Sequence, residues 1–328
     1  MRDLTRLPKA HLHVHLESSV RPGTLREIAE ANGVTVPSRV DGHRFVGFGP
    51  FGEYNAAVRE CLRRPADFTR IASEFCADEA AQGTRYAELT FTAAAHGERL
   101  GDPAMPLEAV LAGLTLGAER HGVEVRLLLD HSRRRSVERA LLTVELAKKY
   151  WPMVVAVGVA GDEAPSLVPF AAVFTEARTA GLHIVHHAGE TAGPDSIREA
   201  VAAGTERIGH GIRVLDDPAL TAEVAAAGIP LEVCPSSNVT LGLVPSLAEH
   251  PLPRLVAAGL VVTLNTDIPS VTGRTLTDEY RQARDVFGYS DASLAGFATA
   301  GVTASFADDA TKALLRQDIS DWLATPPV

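Results

Sequence analysis

The sequence predicts an α/β protein, a (β/α)₈ TIM-type barrel with a helical insertion after the first strand and additional helices at the C-terminal end. Three observations predict it. Eight short, β-branched runs alternate with stretches whose apolar residues recur at three- and four-residue spacing, the signature of a parallel sheet covered by helices. Several helical stretches stop at the glycine that a left-handed cap prefers, as in Ala180-Gly181, Ala203-Gly204, Ala227-Gly228 and Ala258-Gly259. Histidines and acids collect at the ends of the strand-like runs, where barrel enzymes keep their chemistry. A doubly wound open sheet is the competing arrangement, and the lack of a GxGxxG after the first strand counts against it.

The strands are expected at His11–His15, Arg85–Thr92, Glu124–Asp130, Val154–Val159, His183–His187, Arg207–Gly209, Leu231–Cys234 and Val261–Thr266. Helices are expected at Met105–His121, Ser136–Tyr150, Val168–Ala180, Ser196–Ala203, Pro218–Ala227 and Ser246–Ala258. The segment Arg21–Thr84 is too long for one crossover helix and reads as two or three helices around a Gly/Phe-rich loop, Phe45–Tyr54. Loops at this end of a barrel shape the substrate pocket. Terminal helices are expected at Leu276–Phe287, Ala292–Ala298 and Asp308–Ala324. No low-complexity linker interrupts the chain, so residues 1–328 are expected to form one domain.

Composition narrows the function. With 46% hydrophobic and 22% charged residues the chain is an ordinary folded protein, and its net charge of −10 argues against a general nucleic-acid partner. Cys61, Cys76 and Cys234 contain no CxxC pair, so neither a disulfide framework nor a thiolate metal site is indicated. The first residues lack an apolar core of signal-peptide length, and no run approaches the roughly 20 apolar residues that cross a bilayer. A cytoplasmic protein with a small-molecule substrate and no membrane partner is expected, and a homo-oligomer is compatible with the sequence.

His13 and His15 stand two apart in Leu12-His13-Val14-His15-Leu16, a spacing that turns both imidazoles to one face of a strand. His11 shares that face in this reading but lies deeper, as a structural residue. His187, His210 and Asp267 end the fifth, sixth and eighth strands. Imidazoles and a carboxylate gathered from separate strands make a nitrogen-and-oxygen site suited to one Zn²⁺ per chain. Zinc would lower the pKa of a bound water from about 15.7 toward 7. Asp267 can take the proton of that water, His210 can fix its approach, and Glu190 can act as a general acid if burial keeps it protonated. This equipment suits hydrolytic deamination of an amino-heterocycle, and equally amide or ester hydrolysis.

The ordered set of the HxH motif, His187-Ala188-Gly189-Glu190, Arg207-Ile208-Gly209-His210-Gly211, Cys234-Pro235-Ser236-Ser237-Asn238 and Asn265-Thr266-Asp267 resembles the adenosine deaminase family of metal-dependent amidohydrolase barrels over nearly the whole chain. The resemblance implies His13, His15, His187 and Asp267 as zinc ligands, Glu190 as the acid for a ring nitrogen, and His210 as the group that orients the attacking water. Gly161 matches the glycine whose backbone meets the purine, and Glu17 the acid near the ribose 5′ position. Weaker similarities point to the actinobacterial branch, which includes deaminases of 6-aminodeoxyfutalosine.

Two positions depart from that pattern. Ile268 stands where the family usually carries an acid or amide that bonds the purine N7, and Ser18 stands where it usually has glycine. Losing one such bond in a dry site costs roughly 1–3 kcal/mol. The metal and proton-transfer residues are intact while the recognition positions have changed. An aminohydrolase with specificity shifted away from plain adenosine is therefore expected. A hydrolase of a non-purine cyclic amidine or guanidine, and a catalytically silent binding protein, are the alternatives. The basic run Arg133-Arg134-Arg135, with Arg63 and Arg64, is read as a solvated turn or as an anion site for a carboxylated substrate.

Overall fold

Eight strands lie side by side in chain order, all parallel: β1 (Lys9–His15), β2 (Thr84–Phe91), β3 (Glu124–Ser132), β4 (Val154–Ala160), β5 (His183–Ala188), β6 (Arg207–His210), β7 (Leu231–Val233) and β8 (Val262–Leu264). The computed structural model describes residues 1–36, 45 and 47–326. Closure between β8 and β1 is made by Asp267, whose N–H donates to His13 O and whose carbonyl accepts from His15 N–H, both at 2.9 Å. The Asn265 side-chain carbonyl completes the seam by accepting from the N–H groups of Leu12 and His13 at 2.9 and 3.1 Å.

The insertion after β1 carries α1 (Pro22–Ala31), α2 (Phe48–Cys61) and α3 (Pro65–Ala81). After β2 come α4 (Ala93–Leu100) and α5 (Met105–His121), then α6 (Val137–Lys149) after β3 and α7 (Ala171–Thr179) after β4. α8 (Pro194–Ala202) follows β5, α9 (Pro218–Ala227) follows β6, and α10 (Pro235–Thr240) and α11 (Leu252–Ala257) follow β7. After β8 the chain forms α12 (Pro269–Thr272), α13 (Leu276–Asp285), α14 (Asp291–Ala304) and α15 (Asp309–Ala324). No helix among the described residues is long and apolar enough to cross a membrane.

The period of two along each strand separates two apolar layers. Leu127 and Leu129 of β3, Val157 and Val159 of β4 and Ile184 of β5 join the layer between barrel and helices. Leu128, Ala156 and Val185 form a separate buried cluster with Phe306 beneath it. The side chains two positions further along the interior rows of β3 and β5 are Asp130 and His187, and both line the cavity above. The apolar floor therefore changes to polar chemistry within one pleat.

Two expectations are corrected. A helix begins at Phe48, inside the segment read as a loop over Phe45–Tyr54; Val46 of that segment lies outside the described residues. Pro50 falls in the first turn of α2, where a missing N–H costs no hydrogen bond, so this proline starts a helix rather than breaking one. His11 does not share the face of His13. A register irregularity between His11 and Val14 swings its ring toward α3, where Nδ1 meets Glu79 Oε2 at 3.0 Å.

Candidate active site

The open end of the barrel brings His13, His15, His187, His210 and Asp267 into one cluster. Ligand atoms of His13, His187, His210 and Asp267 lie within 4.8 Å of one another. His15 Nε2 stands beside them, 3.2 Å from His187 Nε2 and 3.3 Å from Asp267 Oδ1. His13 Nε2 is 3.6 Å from the same Asp267 oxygen. Gly209 in β6 makes room for this crowding, since a Cβ there would lie 2.8 Å from Cε1 of His13.

The ring tautomers suit a cation. His187 Nδ1 lies 3.0 Å from the carbonyl of Val159, which can only accept, so its Nε2 carries a lone pair into the cluster. His13 Nδ1 lies 2.8 Å from Glu232 Oε2, and its buried Nε2 has no hydrogen-bond partner. Such an orphaned acceptor, backed by a carboxylate on the opposite ring nitrogen, is the usual arrangement of a metal-binding histidine. Asp267 Oδ2 accepts from Ser237 Oγ at 2.5 Å, which fixes the carboxylate and leaves Oδ1 toward His13 and His15. A nitrogen-rich set with one carboxylate fits a divalent ion of the zinc type. Five groups exceed the four that a tetrahedral ion takes.

Glu190 is buried at the cavity wall, with Oε1 3.6 Å from His210 Nε2. Burial, and then the neighbouring carboxylates of Asp267 and Glu163, hold its carboxyl well above the usual range. Its segment is held from below by Glu163. That buried carboxylate accepts from the N–H groups of Gly189, Glu190 and Thr191, each at 2.8 Å, and from Ser196 Oγ at 2.6 Å. Arg133 braces the same segment by donating to His187 O at 2.8 Å and to Ser196 Oγ at 3.0 Å. Arg133 is thus an internal strut, whereas Arg134 pairs with Asp162 and both line the cavity. Sequence reasoning missed Glu163 entirely. Three successive backbone donors meeting a remote carboxylate leave no periodic trace.

A cavity of about 460 Å³ opens over the cluster. Gly161 lines it with φ at 90°, a conformation that L side chains rarely adopt, so glycine is required there for its backbone. Ile268 is 1% exposed and packs with Phe51 and Leu241; all three line the cavity next to Asp267 as an apolar wall. Asn55 and Arg59, one turn apart on α2, line the mouth. Glu17 and Ser18 are buried, and the cavity lining does not include them. Glu17 Oε1 accepts from Thr92 N–H at 3.2 Å and lies 3.1 Å from His96 Nε2. His186 packs edge-on against Phe174 of α7, on the helix side of the barrel.

Behind the cluster a chain of buried charges crosses the barrel interior. Glu232, which holds His13, accepts from Arg207 Nε at 2.6 Å, and Arg207 Nη2 bonds Glu88. Tyr86 donates to Glu88 at 3.0 Å, and Phe306 lies under the guanidinium at 4.0 Å.

Residues 8–322 match the family described as "Adenosine deaminase". An aminodeoxyfutalosine deaminase of Streptomyces coelicolor is 37% identical over 97% of this chain and 85% of its own length. The crystal structure of an adenine deaminase from Arthrobacter aurescens superposes with a TM-score of 0.92 at 31% identity, covering 97% of this chain and 99% of that one. An amidohydrolase from Burkholderia ambifaria, with bound Zn, superposes with a TM-score of 0.88 at 27% identity, covering 98% and 94%.

Proposed function

This chain belongs to the adenosine deaminase family of metal-dependent hydrolytic deaminases, and from that premise we propose that it is a zinc enzyme acting on a purine-type base or nucleoside other than plain adenosine. The observation that carries the specificity is the apolar wall of Ile268, Phe51 and Leu241 beside Asp267. An adenine presented in the family's usual pose would turn N7 toward a surface with neither donor nor acceptor. The similarity to adenine and aminodeoxyfutalosine deaminases supports the purine class.

In this reading His13, His15, His187 and Asp267 would hold the ion. When bound, it supplies the positive charge that lets water give up a proton near neutral pH. Asp267 Oδ2, anchored by Ser237, accepts that proton. Glu190, whose carboxyl is held well above the usual range by burial, donates a proton to a ring nitrogen of the substrate. His210 aligns the incoming oxygen from the side of Glu190. The loop pinned by Glu163 holds the acid at a fixed height over the ligands, which is where orientation contributes to rate. Water and the C–NH₂ group become a carbonyl and ammonia.

Steady-state deamination of adenosine, adenine and 6-aminodeoxyfutalosine by zinc-loaded protein tests the proposal. Adenosine kcat/KM is expected at least about tenfold below that of the best substrate, in line with one lost hydrogen bond. Ile268→Asp is expected to recover adenosine turnover. Adenosine as the preferred substrate of the unaltered enzyme would overturn the specificity assignment.

A further inference from the structure

Three buried residues behind His210 form a hydrogen-bonded line whose direction is set by the backbone. Leu252 N–H points at His250 Nδ1, 3.1 Å away. His250 Nε2 lies 3.1 Å from Asn238 Oδ1, and Asn238 Nδ2 lies 3.2 Å from His210 Nδ1. His250, Asn238 and His210 are 3%, 0% and 1% exposed, so bulk solvent does not reach any member. A backbone N–H only donates, which makes His250 Nδ1 an acceptor and puts the ring proton on Nε2. Burial holds His250 down at about 4, so the ring is neutral and has one proton to give. That proton goes to the amide oxygen of Asn238. The amide NH₂ is then turned to His210 Nδ1, which must accept.

We infer that Asn238 and His250 are positioning residues that lock His210 as its Nε2–H tautomer. The opposite orientation of the Asn238 amide would present an NH₂ to His250 Nε2 while Nδ1 already accepts, and a neutral imidazole cannot accept at both nitrogens. An imidazolium at His210 would set an N–H against the amide NH₂. The line therefore rejects both the other tautomer and the charged ring. Two consequences follow at the cavity. His210 Nε2 offers a proton and no lone pair, so of the five clustered groups it is the one left outside the coordination set. It serves instead as a donor to the oxygen that attacks the substrate. This rests on the reaction assigned above, but the tautomer can be read without turnover.

The test uses zinc-loaded protein labelled with ¹⁵N at histidine, with two-bond proton–nitrogen correlations and steady-state kinetics on the best substrate. In the unaltered protein His210 is expected to show a pyrrole-type Nε2 and a pyridine-type Nδ1. Asn238→Asp replaces the donor by an acceptor at nearly constant shape, so the pattern should invert. With it kcat should fall about 10²–10⁴-fold, the scale of a misplaced catalytic proton, while KM stays within a fewfold. His250→Gln can still donate to Asn238 Oδ1 and should keep the original tautomer with kcat within about tenfold. His250→Leu removes the anchor and should give mixed tautomers and an intermediate kcat. Should Asn238→Asp fail to fold, the His250 pair decides. A pyridine-type Nε2 in the unaltered protein, or an inverted Asn238→Asp with undiminished kcat, would overturn the inference. The expected tautomer in a protein that deaminates no purine would keep the relay and sink the assigned reaction.

Discussion

His210 and Asp267 both occupy the left-handed backbone region, with φ at 63° and 62°. Such residues cost of order 1–3 kcal/mol each and persist where their surroundings over-determine them. Here the surroundings are evident: Asp267 is bonded on both backbone sides to β1, and His210 is held through its ring by Asn238. Glu279 shows the opposite balance. It is buried, Oε1 has no partner, and burial, partly offset by Ser236, raises its carboxyl to about 8. Between the ordinary value of 4.5 and 8 the folded protein binds the proton that the unfolded chain releases, so stability falls as pH rises through that window. Glu279→Gln removes the titration. Its Tm relative to the unaltered protein is expected to climb from pH 5 to about pH 8 and then level off, and a pH-independent difference would refute the assignment. At this scale the sequence was legible wherever a role follows from local spacing. His13 and His15 converge as their two-residue interval requires. Glu163, Asn238 and His250 were illegible as site residues because each acts on a group 27, 28 or 12 positions away.

At the scale of elements, the strand ends that the alternation places at the barrel rim are where the clustered residues stand. The errors came from reading local signals without their partners. The glycines and proline around Pro50 spell a loop in isolation, yet they initiate α2. Strict alternation puts His11 with His13, yet one irregularity of register parts them. The segment from Gly189 to Thr191 belongs to neither helix nor strand and owes its shape to Glu163. Glu163→Gln offers an NH₂ to a nest of N–H donors and must abandon at least one of them. It should lower kcat about 10–100-fold, as expected when an acid loses its orientation, with bound zinc unchanged. Metal analysis beside the kinetics checks this, and loss of zinc would show that the loop serves the ligands rather than Glu190.

Across the whole molecule, the buried chain from Glu88 through Arg207 and Glu232 to His13 ties the barrel floor to the histidine–aspartate cluster. Arg207 places its positive charge between the two carboxylates of Glu88 and Glu232. Arg207→Met strands two carboxylates in the interior and should cost about 3–5 kcal/mol in urea unfolding. A loss below 1 kcal/mol would mean that the carboxylates take up protons without penalty. No sequence pattern announced this chain, because its members come from four strands and meet only in the closed barrel.

The seam between β8 and β1 gives the molecule a timetable as well as a shape. Asp267 is at once the stitch that joins the last strand to the first and a member of the cluster. A chain emerging from the ribosome presents its paired histidines in the first strand, but the acid that completes the set arrives more than 250 residues later. Through most of synthesis the early imidazoles have no finished cage, and cargo captured by a partial chain would be held by fewer teeth. In the proposed reading, loading the ion and shutting the cylinder would therefore be one late event, and a product truncated before that stitch would lose both together.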